Sequence, residues 1–134
     1  GENKIRMLKS EYERLSHEIL DSSLSVHKEM GPGLLESVYQ YCLVHELRSR
    51  NVFVQEQVSV PLFYKNQILD KDFRLDLLVA EEIIVEIKAV ECLLPVHEAQ
   101  IISYLKLAEK RLGFLINFNV PLLKSGFRRF VNNF

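Results

Sequence analysis

The chain has 134 residues, 48% of them hydrophobic and 26% charged, with a formal net charge of −1. That is enough chain for one hydrophobic core and too little for two, so residues 1–134 are expected to form a single domain. The balanced charge argues against a protein whose main task is to coat nucleic acid, and the absence of any long apolar run argues against a membrane protein.

Tyr12, Leu15, Ile19, Ser23 and Val26 recur at three- and four-residue steps, which predicts a first amphipathic helix over about 10–28. Ser10 and Glu13 have capping-box spacing at its start, and Gly31-Pro32-Gly33 breaks it. A second helix is predicted from the Gly33-Leu34-Leu35-Glu36 segment to about Arg50. Leu35, Val38 and Cys42 are expected to pack inward, and Glu36, Tyr39 and Gln40 to share another face. From Val52 to Tyr64 the apolar positions alternate, which predicts a strand with Pro61 at an edge or an end.

Lys65-Asn66-Gln67 reads as a turn, and Ile68 to Val79 as the next strand, with Asp70, Lys71 and Asp72 on its exposed end. Ala80-Glu81-Glu82 turns the chain into a third strand, Ile83 to Val90, which completes an antiparallel meander. Pro95 fits the start of a third helix running from about Val96 to Lys110. Ala99, Ile102, Leu105 and Leu107 are expected to supply its apolar surface, and Gln100 and Tyr104 share a face. Gly113 to Phe118 is a short apolar strand. A right-handed crossover would lay it parallel to Ile83–Val90 inside the sheet. Phe127 to Val131 reads as a final strand or a short helix. The expected fold class is α/β: a mixed, mostly antiparallel sheet of four or five strands flanked by helices.

Charged residues stand inside the strands expected to be central. Asp76 interrupts one, and Glu86 and Lys88 interrupt the next. Acids and lysines are almost never fully buried without partners. Glu86 and Lys88 share a strand face while Ile87 points the other way, and a hairpin would bring Asp76 close to them. Two carboxylates and an ammonium would then converge, as hydrolysis of a phosphodiester on a divalent metal requires. An ordinary Glu–Lys pair on a solvated sheet face is the alternative. Glu36 is similarly two-sided: an acid in the first turn of a helix is favoured by the helix dipole alone.

Asp76 followed by Glu86-Ile87-Lys88 on the next strand resembles the signature of the PD-(D/E)xK nuclease superfamily. The element order is similar to that superfamily's restriction-endonuclease-like core. Gln100-x-x-x-Tyr104 resembles the extra motif of the RecB-like branch, and Gly31 to Tyr39 resembles the region for which small bacterial GxxxExxY-type proteins are named. His97-Glu-Ala-Gln100 and Leu115 to Pro121 resemble the same small family. The likeness covers nearly the whole chain from about residue 10, with one departure, Leu75 in place of the Pro before the Asp.

The resemblance implies that Asp76 and Glu86 are metal-binding carboxylates, that Lys88 is the catalytic lysine, that Glu36 serves the metal or its waters, and that Gln100 and Tyr104 trim the site. It implies Mg²⁺ as cofactor, with Mn²⁺ as a substitute, and a nucleic-acid partner, DNA before RNA. Mg²⁺ takes oxygen ligands and keeps several waters, so two carboxylates plus the Ile87 carbonyl would leave room for water and a phosphate oxygen. Carboxylates beside Lys88 would hold it charged, which favours orientation and charge stabilisation over a role as base. A module that keeps the fold and binds nucleic acid or a protein without cleaving is the rival reading. A domain this small covers little DNA, so a homodimer is expected on a branched or palindromic substrate.

Cys42 and Cys92 lack disulfide-framework or zinc spacing and are expected to be small buried apolar side chains in a reducing cytosol. The N-terminus is polar rather than signal-like, so a cytoplasmic protein is expected. Gly1 in place of Met reads as the scar of a cleaved tag.

Overall fold

The computed structural model describes residues 7–134; Gly1 lies outside them. Helices α1 (Lys9–Met30) and α2 (Glu36–Ser49) precede strands β1 (Val54–Tyr64), β2 (Gln67–Val79) and β3 (Ile83–Lys88). Helix α3 (Pro95–Leu107) leads to β4 (Leu112–Asn117), and a 3-10 turn (Leu123–Gly126) leads to β5 (Phe127–Val131). The five strands form one sheet in sequential order, with β3 and β4 parallel and every other neighbouring pair antiparallel. The meander, the crossover and a strand at the C-terminal end are thus as the sequence pattern predicts.

Both hairpin turns put two successive residues in the left-handed region: Lys65 and Asn66 at φ 50° and 65°, Ala80 and Glu81 at φ 53° and 61°. That geometry matches the right-handed twist of the flanking strands. Pro61 lies on edge strand β1, where proline is tolerated, and the register slips between Pro61 and Phe63.

The sheet is covered on both faces. The α1 stripe (Tyr12, Leu15, Ile19, Val26) and the α2 residues Tyr39, Leu43, Val44 and Leu47 pack on Val85, Ile87, Phe114 and Ile116. On the other face, Ile101 and Leu105 of α3 pack on Leu75, Leu78, Ile84 and Leu115. β3 and β4 are therefore buried on both sides, except at half-buried Lys88, as strands in a sheet interior are. Gly113 lets α3 come close, since a Cβ there would lie 3.1 Å from Ile101 Cδ1.

Four local expectations are corrected. α1 starts one residue before Ser10, so Ser10 lies inside the helix, and no side chain caps it at Leu8. α2 starts at Glu36, which leaves Leu35 outside as its N-cap and 73% exposed, while Tyr39 turns into the core. The buried residues of α3 are Ile101 and Leu105, with Ile102 and Leu107 half out in solvent and Ala99 exposed. The face is turned from the expected one because Ile84, Leu115 and the cleft at Gly113 fix which side meets the sheet. Cys42 is half-buried against the core but Cys92 is exposed.

Candidate active site

The site forms where β2 and β3 part. Their pairing runs from Val79↔Ile83 to Leu77↔Val85 and then stops. Beyond it the ribbon of β1 and β2 rolls over. Val54, Leu77 and Val79 pack in the α1–α2 layer, yet Val58, Val60, Phe73 and Leu75, of matching parity on their strands, pack on the α3 side. The roll is centred on Gln57 and Asp76, which stand opposite each other between the pairs Glu56↔Leu77 and Val58↔Leu75.

Strands that part leave N–H groups without ladder partners, and buried N–H groups must find acceptors. Here the two acids supply them. The Asp76 N–H donates to Glu86 Oε2 at 2.8 Å, and the Ile87 N–H donates to Asp76 Oδ2 at 2.8 Å. Each carboxylate thus takes up an amide at the opening of the two strands. Glu86 and Lys88 share the parity of Ile84 and face α3, whereas Ile87 turns to the α1–α2 layer, as the alternation predicts.

Glu86 is 4% exposed and its carboxyl is pushed up to about 8, first by burial and then by the charge of Asp76. Burial also raises Asp76, against the Ile87 N–H, the Lys88 charge and the Gln57 amide, which pull it down. Glu36, at the start of α2, is exposed at the rim, and partial desolvation raises its carboxyl, opposed chiefly by Lys88 and by the Ala89 N–H. Asp76 pushes it up and His97 draws it down, so all these groups lie within electrostatic reach of Glu36. Lys88 is half-buried and closes no ion pair with the three acids among the described residues, but its charge acts on each of them.

From α3, Tyr104 stacks its ring on Phe73 at 4.9 Å between centroids. Its hydroxyl is raised by burial and then by the charges of Glu86 and Asp76, which places it on the same cluster. Gln100 is exposed and takes part in no hydrogen bond among the described residues. The structure therefore joins Asp76 and Glu86 directly, sets Lys88, Glu36 and Tyr104 around them within electrostatic reach, and leaves Gln100 in solvent one turn before Tyr104.

Three groups that the sequence reading did not place in the site support it. Gln57 lies against Asp76. His97 Nδ1 accepts the Leu94 N–H at 3.0 Å, which ties the start of α3. Asn117, 1% exposed, accepts from the N–H groups of Val90 and Asn119 and donates to the Val90 carbonyl, so it holds the chain leaving β3. Asn119 then accepts the Gly33 N–H at 3.0 Å. Tyr39 donates its hydroxyl to Gly31 O at 2.5 Å, accepts the Leu34 N–H and stacks on Phe118. These bonds set the turn before α2 and hence the place of Glu36. The Leu115–Pro121 stretch carried a signal for this, since two Asn side chains in an apolar run need partners.

The donor set is all oxygen: two carboxylates from adjacent strands, the Ile87 carbonyl between Glu86 and Lys88, and Glu36 nearby. No three His, Cys, Asp or Glu side chains among the described residues are gathered closely enough to hold an ion by themselves. One or two carboxylates completed by carbonyl and water is the set that suits Mg²⁺. Glu86 Oε1 takes no hydrogen bond among the described residues and is free for such a ligand. The mutual repulsion that raises Glu86 is what a cation between the acids would relieve. The residues present fit a hard divalent metal.

A half-buried and a buried acid on parting strands, a lysine two residues after the second, and helices on both faces of a mixed sheet define a restriction-endonuclease-like fold. The chain belongs to the PD-(D/E)XK nuclease superfamily, whose family model matches residues 13–130. No curated protein and no solved structure matches it. Within the narrower likeness, the glycine nearest Glu36 is Gly33, three residues before it, so the interval written in GxxxExxY is not present. Among the described residues no helix is long and apolar enough to cross a membrane.

Arg48, Arg50 and Arg128, which could contact a phosphate backbone, already have partners. Arg48 faces Glu56 and donates to Val54 O, Arg50 meets Glu46 and Glu18, and Arg128 meets Glu98 at 2.7 Å. Ordinary charged faces account for them.

Proposed function

We propose that the protein is a metal-dependent nuclease that hydrolyses phosphodiester bonds, in DNA before RNA. The observation that carries this reading is the pair of acids, Asp76 and Glu86, fastened by strand amides at the opening of the strands with no positive partner in direct contact among the described residues. Such a pair is costly by itself, and a bound cation offsets the cost.

Mg²⁺, or Mn²⁺ in its place, held by the Asp76 and Glu86 carboxylates and the Ile87 carbonyl, would supply Lewis acidity at the scissile phosphate. Lys88 orients the attacking water and neutralises charge that grows on the phosphoryl oxygens. Tyr104 donates its hydroxyl to a phosphate oxygen, and Glu36 accepts from waters at the rim of the site. Gln100, one turn before Tyr104 on α3, trims the outer edge.

The test is a calorimetric titration with Mn²⁺, followed by incubation with single-stranded, duplex, branched and flap DNA in Mg²⁺. Binding below millimolar metal, and metal-dependent cleavage of at least one substrate, are expected. No heat up to millimolar metal overturns the reading. Metal binding with every nucleic acid left intact points to the module that binds without cleaving. Light scattering with a branched substrate tests the expected homodimer.

A further inference from the structure

We propose that Gln57 is a positioning residue for Asp76: its left-handed backbone and its side-chain amide together hold the carboxylate at the opening of the parted strands. The claim rests on the nuclease reading only for the role that Asp76 plays.

Eight described non-glycine residues have positive φ, and Gln57, at 48°, is the one that lies within a strand; the others fall in turns, just past helices or near the C-terminus. L-residues other than Gly, Asn and Asp seldom adopt this conformation, because Cβ crowds the backbone. Such residues persist where the surroundings over-determine them, and they cluster at functional sites. Gln57 stands directly across from Asp76, at the point where the β1–β2 ribbon rolls from one layer to the other. The unusual backbone and the candidate acid are therefore parts of one irregularity.

The side chain has its own reason to be there. Its Nε2 donates to Gln40 Oε1 at 3.0 Å. A primary amide has two N–H donors, so a second N–H remains to face Asp76 across the strands, and the Gln57 amide pulls the Asp76 carboxyl down. Asp76 Oδ2 meanwhile accepts the Ile87 N–H. The carboxylate is thus bonded from β3 and faced by Gln57 on the edge strand. Gln40 lies one turn after Glu36 on α2, so the same amide ties the helix that bears Glu36 to the edge strand at the point facing Asp76.

Backbone and side chain make opposite demands, which separates them experimentally. Gly adopts φ 48° without crowding but offers no amide. Asn also tolerates the left-handed region, yet its amide sits one methylene short. Three readouts apply to the full chain: thermal unfolding, hydrogen exchange of the Ile87 amide in metal-free protein, and Mn²⁺ affinity by calorimetry. Gln57→Gly is expected to raise Tm by a few degrees. The same variant should speed Ile87 exchange about tenfold and weaken Mn²⁺ binding about tenfold. Gln57→Asn should show both losses with a smaller gain in Tm.

Ile87 exchange and Mn²⁺ affinity both within about twofold of wild type, in both variants, overturn the proposal. If wild-type protein takes up no Mn²⁺, the nuclease reading fails, and the Ile87 amide alone decides the case for Gln57.

Discussion

The backbone N–H of Asp76 donates to Glu86 Oε2 at 2.8 Å, so the two acids are joined through a backbone amide. The Ile87 N–H returns the arrangement to Asp76. Each acid therefore serves the fold as an acceptor as well as the proposed site as a ligand, and substitutions at the two positions separate these parts.

At Asp76, an amide and a methyl group should behave differently. Asp76→Asn keeps an acceptor for the Ile87 N–H, and thermal unfolding should show no loss of stability. Asp76→Ala leaves that buried N–H unsatisfied, at a cost of about 1–3 kcal/mol, partly offset by the lost repulsion with Glu86. Both variants should lose Mn²⁺ binding by calorimetry. Retained binding in either would remove Asp76 from the ligand set.

Glu86→Gln is expected to stabilise the metal-free protein in a pH-dependent way. The wild-type carboxyl is pushed up to about 8 in the fold, above its ordinary 4.5. Between those values the folded state binds the more protons, so wild-type stability falls as pH rises through the window and levels off above about 8. Gln does not titrate and accepts the Asp76 N–H at every pH. The Tm difference between variant and wild type should therefore widen from pH 5 to pH 8 in chelator, and Mn²⁺ should raise Tm for wild type only. A difference that stays flat across this range would show that Glu86 ionises freely.

Lys88→Ala separates binding from cleavage. Lys88 is no ligand in the proposed arrangement, so Mn²⁺ affinity should stay within a few-fold of wild type while cleavage falls by at least about a hundredfold. A variant that cuts as fast as wild type removes Lys88 from the reaction.

Tyr39→Phe tests the turn that sets Glu36. The ring and its stack on Phe118 remain, but the bonds to Gly31 O and the Leu34 N–H are lost. About 1–2 kcal/mol of stability should go with them in denaturant unfolding. No change in midpoint would mean that the glycine turn holds without the hydroxyl.

The β2–β3 turn offers a gain. Ala80 and Glu81 occupy left-handed positions that Asn-Gly prefers. The double replacement should add about 0.5–1 kcal/mol and leave metal binding untouched, since the turn lies at the far end of β3 from Lys88. A lower Tm would contradict the turn geometry.

Periodicity along the chain determined the elements of this protein, because burial on one face forces a repeat of two or of 3.6 on any sequence that forms a strand or a helix. It also determined that Asp76, Glu86 and Lys88 required explanation, since charges in apolar strands have few other uses. Only the tertiary structure decided how they are held. The parting of β2 from β3, the roll at Gln57 and the burial of Tyr39 depend on contacts between distant segments, which leave no period to read. Gln57 looks like any polar residue on an edge strand until Asp76 stands opposite it. The turned face of α3 has the same cause: the helix meets the sheet where Ile84, Leu115 and Gly113 leave room, and its own apolar positions do not single out that side.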